Sequence, residues 1–320
     1  MAVTAEIDKP TAAQYNSIQS TINTVLSTRY GQTLASSALT LPGTSTKITS
    51  AAWTNLCSDI LKANRHQLNP AAVGTLTNPT TDTKIAAADY NAYETMANNC
   101  LTNYLLFPDN STLSTSENLT TLIHTSSSFA WGVSGSNTLV KLISINAAAP
   151  GATFPYFFNT GGQIRINTTF TGGTVATVGT KDFSWRSAAV EMGTVIIGAN
   201  STRTLAGASG PGTGSAIGAY QLTSTDQVLY TKTTSTYTPN NIRISGRYAT
   251  PNQIVLRIDY IDSNDPGGTY TIDEPVTATV TTSYTLFYAS GAGEVDATTW
   301  KPTLGTTNAV SANRYEVINT

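Results

Sequence analysis

The residue types that carry most enzyme chemistry are sparse in this chain of 320 residues, and those present are scattered. Histidine occurs twice, as His66 and His124. Neither has a second ligand at zinc-site spacing, so each reads as a local hydrogen-bonding residue rather than a metal ligand or a base. Serine is abundant, yet no Gly-x-Ser-x-Gly stands between a strand and a helix, where a serine nucleophile would be exposed. Glu191, Asp259 and Glu294 are the carboxylates suited to paired acid–base cleavage of a glycan, and spacing alone brings no two of them together. The glycine-rich run Gly207–Gly218 lacks the lysine and the following helix of a phosphate cradle. Asp262-Ser-Asn-Asp-Pro-Gly-Gly268 offers oxygen ligands of the Ca²⁺ type but has the composition of an ordinary turn and no closing Glu. The expectation is no enzyme activity, no cofactor and no metal.

Composition points the same way. Charged residues make up 11% of the chain, against roughly a quarter in ordinary soluble proteins. Thr, Ser, Asn and Gly take their place, as in β-rich shells and fibres. A net charge of −2 gives no basic field for nucleic acid or anionic lipid, so neither partner is expected. No apolar run is long enough to span a bilayer, and the N-terminus lacks a signal-sequence pattern, which together suggest a protein made in a reducing cytoplasm. Cys57 and Cys100 fall on apolar stripes and read as buried free thiols. The Asn-x-Ser/Thr sequons are what so Thr-rich a chain produces by chance.

The elements that must position any site come in two kinds. Lys9-Pro-Thr-Ala-Ala-Gln-Tyr15, Lys47-Ile-Thr-Ser-Ala-Ala-Trp53 and Lys84-Ile-Ala-Ala-Ala-Asp-Tyr90 each place an aromatic six positions after a Lys. Apolar or small residues then recur at helical spacing: Ile18, Ile22 and Val25-Leu26; Leu56, Ile60 and Ala63; Tyr93, Ala97 and Cys100-Leu101. Thr11 to Gln14 has capping-box spacing. This predicts a small helical repeat region over 1–107, with Tyr15, Trp53 and Tyr90 as candidate interface residues, either in a bundle or against a second subunit.

Residues 108–128 are dominated by Ser, Thr and Asn and read as a linker. Over 129–320 the period becomes alternating. Strands are expected at Phe129–Val133, Leu139–Ile145, Phe154–Phe158, Gln163–Phe170, Val190–Ile197, Gln227–Thr231, Asn241–Tyr248, Gln253–Ile261 and Tyr284–Tyr288. Asn159-Thr-Gly-Gly162 is expected to turn the aromatic run Phe154–Phe158 back as a hairpin. The fold class is therefore α+β multidomain, the helical repeats being followed by an antiparallel β-sandwich (jelly-roll-like) domain. Ile164-Arg-Ile166, Ile242-Arg-Ile244 and Leu256-Arg-Ile258 echo one another, placing Arg165, Arg243 and Arg257 on faces turned away from the core. Those arginines either discourage edge pairing or form a subunit interface.

The stretch Tyr156-Phe-Phe-Asn-Thr-Gly-Gly-Gln-Ile-Arg165 resembles one in virion structural proteins of tailed bacteriophages, particularly the contractile-tailed phages of marine cyanobacteria. Asp8-Lys-Pro-Thr-Ala-Ala-Gln-Tyr-Asn16, Tyr30-Gly-Gln32, Trp53 and Ala63-Asn-Arg-His-Gln67 are similar to the same group. The resemblance implies a structural component of the neck, tail or baseplate, or a fibre or fibre adaptor. It implies assembly as a symmetric homo-oligomer (trimer or hexamer) with other virion proteins, located in the virion after assembly in the host cytoplasm. Two other functions stay open. One is an adhesin binding host-surface glycan through exposed aromatics such as Tyr156, Trp185, Tyr220 and Tyr237. The other is a glycan depolymerase.

Overall fold

A computed structural model describes residues 10–39, 48–68, 73–79, 85–106, 115–127, 131–133, 138–148, 154–205, 213–234, 237, 240–263, 274–290 and 295–312. It is an α+β structure whose chain divides into two compact units. The first comprises Met1–Thr115, Pro155–Gly161 and Tyr288–Thr299, and the second Ser116–Phe154, Gly162–Phe287 and Trp300–Thr320.

In the first unit, α1 (Ala12–Asn23) begins at a reciprocal cap. The Thr11 hydroxyl accepts from Gln14 N at 3.2 Å, and the Gln14 side-chain oxygen accepts from Thr11 N at 2.8 Å. A π-helical turn, Thr24–Arg29, extends α1 to Gly31, whose φ of 64° suits a residue without a Cβ. In α2 (Ser50–Gln67), Thr49 caps the start by accepting from Ala52 N. In α3 (Ala87–Thr102), Asp89 accepts from Ala86 N at 3.3 Å.

Tyr15, Ile18, Ile22, Val25 and Leu26 are buried, as are Trp53, Leu56, Ile60 and Ala63, and Tyr90, Tyr93, Ala97 and Cys100. They form one apolar cluster with Val295. Tyr15 meets Trp53 edge-on at 5.1 Å and Trp53 lies 5.5 Å from Tyr93, so the aromatics that open the three helical patterns share one core. Cys57 and Cys100 are free and buried. Lys9, Lys47 and Lys84 lie outside the described residues.

The helical unit is completed by chain far beyond 107. Asn159 Nδ2 donates to Arg29 O at 2.8 Å, and Gln32 Nε2 donates to Asp296 O at 2.8 Å. A boundary drawn at 107 or 128 therefore divides this unit.

The second unit holds two antiparallel sheets. Its strands are β1 (Thr115–His124), β2 (Thr138–Asn146), β3 (Gln163–Thr171), β4 (Val195–Ile197), β5 (Thr202–Thr204), β6 (Thr213–Gly214), β7 (Gln227–Thr233), β8 (Asn241–Thr250), β9 (Gln253–Ile261), β10 (Thr279–Tyr288) and β11 (Thr303–Ala312). One sheet has five strands in the order β1-β10-β3-β4-β5, the other six in the order β11-β2-β9-β8-β7-β6. Burial along β10 alternates strictly, as expected of a strand with one face on a core. Side chains from the two sheets meet between them. Tyr260 OH lies 2.9 Å from Thr168 Oγ1 and 2.6 Å from Thr282 Oγ1, and Lys141 Nζ donates to Leu122 O and Val280 O. Trp131, Phe170, Trp185 and Tyr260 pack as one aromatic group with ring separations of 5.4 to 6.3 Å.

Five sequence expectations need correction. Residues 115–124, read as linker, form β1, because Leu122 and His124 turn inward and supply just enough burial for an edge strand. Phe154–Phe158, read as a strand, opens α4 (Phe154–Asn159) instead. Pro155 loses nothing in a first turn, where its missing N–H has no helical partner. The Thr160 hydroxyl donates to Tyr156 O and Phe157 O, and Gly161 at φ 80° ends the helix, so the Asn-Thr-Gly-Gly signal marks a helix end rather than a hairpin. The run Val190–Ile197 is likewise split. Its first part closes α5 (Lys181–Met192), and Gly193 at φ 60° separates it from β4. Phe129 and Ala130 lie outside the described residues, and Trp131–Val133 is not a strand.

Candidate functional site

The charged groups concentrate in two places in the second unit. On β8 and β9 the register sets Arg243 opposite Asp259 and Ser245 opposite Arg257, all on the face away from Ile244, Ile258 and Tyr260. Arg243 donates to Asp259 Oδ2 through Nε at 3.2 Å and Nη2 at 2.9 Å. Arg257 Nε donates to Asp259 Oδ1 at 2.6 Å. The row continues through Asp226, whose carboxylate lies 3.8 Å from Arg257 and 2.6 Å from Arg247. The result is an alternating Arg243–Asp259–Arg257–Asp226–Arg247 row. The Asp259 side chain is 1% exposed and that of Arg243 38%. A carboxylate so buried is tolerable only with charge-assisted partners on both oxygens, which the two guanidiniums provide.

Arg165 is not part of that row. It lies on β3 of the five-stranded sheet, with its guanidinium carbon 3.4 Å from the centre of the Phe287 ring and two donors on Gln163 Oε1. Tyr15, Trp53 and Tyr90, expected at an interface, are 0%, 4% and 1% exposed and spend their rings on the helical core. Burial by neighbouring helices leaves no ring surface for a partner.

Sequence reading missed the second concentration, at the start of α5. Lys181 Nζ donates to Gly132 O at 2.7 Å and pairs with Asp262 Oδ2 at 2.8 Å, both side chains being 3% exposed or less. Asp182 accepts from Thr277 N and Ala278 N through Oδ1, and from Thr174 N, Thr174 Oγ1 and Thr277 Oγ1 through Oδ2. A Cβ on Gly173 would come 2.4 Å from Asp182 Oδ2, so a glycine lets the chain approach this carboxylate. The signal was available in Thr180, which caps α5 by accepting from Phe183 N, followed by an acidic residue in the first turn. With five donors on its oxygens, Asp182 is a staple between segments. Residues 264–268 of the Ca²⁺-like loop and residues 207–212 of the glycine-rich run lie outside the described residues.

The remaining titratable groups are held by burial. Lys141, between the sheets, is pushed down to about 7 by desolvation. His124 is pushed down to about 4 by burial, with Lys141 adding to the shift. His66, in the helical unit, is lowered to about 3, chiefly by burial. Glu191 pairs with Lys232 at 2.6 Å, and Glu294 lies outside the described residues. Among the described residues no group of three or more His, Cys, Asp and Glu is placed to hold a metal ion, and no helix is long and apolar enough to cross a membrane. Of the aromatics offered for glycan binding, Trp185 and Tyr237 are buried, while Tyr156 and Tyr220 are partly exposed. In the helical unit a shallow depression is lined by Thr33, Ser58, Asp59, Lys62 and Arg65, but Asp59 there accepts from Ala35 N and Ser36 N.

Comparison with protein-family models, with curated proteins and with solved structures finds no match to this chain.

Proposed function

We propose that this chain is a non-enzymatic structural component of a tailed-phage virion, in the neck, tail or baseplate, and that it assembles as a symmetric homo-oligomer. In this reading the N-terminal helices are three copies of one repeat that anchors the subunit, and the two sheets form a jelly-roll-like sandwich carried outward. The observation that carries the reading is the chain path. The chain passes between its two units five times, at about residues 115, 154, 161, 287 and 299. Load applied to one unit is thereby shared over several covalent connections, which suits a part of a mechanical assembly. The charged side chains support the same reading, because Asp182, Asp259 and Glu191 are all engaged by groups of their own chain. Sedimentation of the pure full-length chain, followed by co-sedimentation with purified particles, tests it. A closed oligomer that travels with particles is expected; a strict monomer that never co-sediments would overturn the proposal.

A further inference from the structure

Among the lysine–carboxylate pairs of the second unit, one is unlike the others. Lys232–Glu191 and Lys301–Glu117 face water, their carboxylate side chains being 37% and 47% exposed. Lys181 Nζ and Asp262 Oδ2 are 2.8 Å apart with side chains only 2% and 3% exposed. The surroundings are aromatic, since Trp185, one turn on from Lys181 along α5, packs on Trp131, the neighbour of Gly132. Both partners are held from behind. Thr180 caps α5 and Asp182 ties its first turn to Thr277 and Ala278, while Ser263 N, next to Asp262, donates to Asn240 Oδ1 at 2.8 Å. Gly132, at φ 75°, brings its chain against the pair: a Cβ there would come 3.0 Å from Asp262 Oδ2, and its carbonyl accepts from Lys181 Nζ at 2.7 Å. As an ion pair the arrangement is poor. Two charges are held out of water, and the ammonium stands in the first turn of a helix, where the dipole opposes a cation.

We infer that Lys181 and Asp262 condense to an isopeptide bond, so that this junction is a self-modification site. Oδ2 is one bond from Cγ, which brings the Lys181 nitrogen close to the near-attack separation of about 3–3.5 Å from that carbon. Proton transfer from Nζ to the carboxylate gives an amine and a carboxylic acid. The Nζ lone pair then adds to Cγ, and one oxygen leaves as water with the acid's proton and one proton from Nζ. One C–N bond forms, one C–O bond breaks, and nothing is oxidised or reduced. The product removes both buried charges, and its amide N–H can go on donating to Gly132 O. Fixed partners replace the chance encounter of two groups in solution, and the dry site favours expulsion of water. The exposed Lys232–Glu191 and Lys301–Glu117 pairs lack this drive and stay ionic. The arginines on Asp259 form no such bond, because a guanidinium is always protonated and is no nucleophile. The bond would fasten the start of α5 to the end of β9.

The inference does not rest on the virion reading. Its test is mass spectrometry of the purified full-length chain after overnight incubation in the folded state at neutral pH. The intact mass is expected to be lower by one water than the sequence requires. A tryptic digest should contain a branched peptide joining the Lys181 and Asp262 segments, uncut after Lys181 because its side chain is acylated. Lys181→Arg keeps the charge but cannot condense and should restore the full mass, whereas Lys232→Arg, the same change at an exposed pair, should leave the deficit in place. The branched peptide is read in the wild type, so the outcome does not depend on either variant folding. A wild-type chain of full sequence mass overturns the inference. So does a deficit that persists in Lys181→Arg, which would mean water lost elsewhere in the chain, or a branch that maps to another pair.

Discussion

Asp182 illustrates how much one side chain holds in this protein. Its two oxygens accept from the 174 and 277–278 segments, and an amide at that position would point an N–H₂ at donors. Asp182→Asn is therefore expected to destabilise the protein by roughly 2–4 kcal/mol, read as a lower urea midpoint. Lys141 makes a prediction of opposite character. Its folded-state value of about 7 lies below the ordinary lysine value of about 10.4, so between these the unfolded chain binds more protons and stability rises with pH. Below about pH 7 both states are protonated and the burial cost is present in full. Lys141→Met should abolish the rise, and should stabilise the protein most at and below neutral pH. Denaturation curves at pH 6, 8 and 10 with an unchanged slope in the variant would contradict this.

At the scale of elements, helix and strand ends follow local chemistry more closely than long apolar runs do. Gly193 ends α5 at φ 60° and ψ −140°, a region almost closed to other residues. Gly193→Ala should cost about 1–3 kcal/mol in a thermal or urea melt, whereas Ala at Gly198, where a Cβ would meet no atom closer than 3.7 Å, should cost less. The three N-terminal helices were legible because aromatic, +3 and +7 positions form a period that only a helix satisfies. β2, β3, β8 and β9 were legible because alternation survives along their length. α4 was not, since Phe154 to Phe158 is aromatic without any period. α5 was not, because its buried face of Trp185, Ala188, Ala189 and Met192 includes two small residues and merges with the apolar residues of β4. Arg243 and Arg257 stand on the face of β8 and β9 away from Ile244 and Ile258, where Arg257 is itself buried. Their shared partner Asp259 depends on cross-strand register, which composition does not encode. The Lys181–Asp182 junction joins segments some 95 residues apart and left only a capping signal in the sequence.

For the whole molecule, the units are intertwined in sequence rather than strung in series. A fragment covering 129–320 keeps Val295, Asn159 and Asp296 but loses the helices that bury or bind them. It should be less soluble and melt less cooperatively than the full chain, measured by scanning calorimetry. Acid should act on both units. His66 and His124 are buried neutral, with folded values of about 3 and about 4 against an ordinary value of about 6.5. Stability is complete above about pH 6.5 and is lost as pH falls through that window toward the folded values, because the unfolded chain takes up protons first. His124→Gln should blunt the loss in the sheet unit and leave that of the helical unit in place. The structural place we propose for this chain in a tailed particle is tested by electron cryomicroscopy of purified particles. Density for the subunit in a closed symmetric ring or fibre at the neck, tail or baseplate is the expected result. Particles that are complete without it would contradict the proposal.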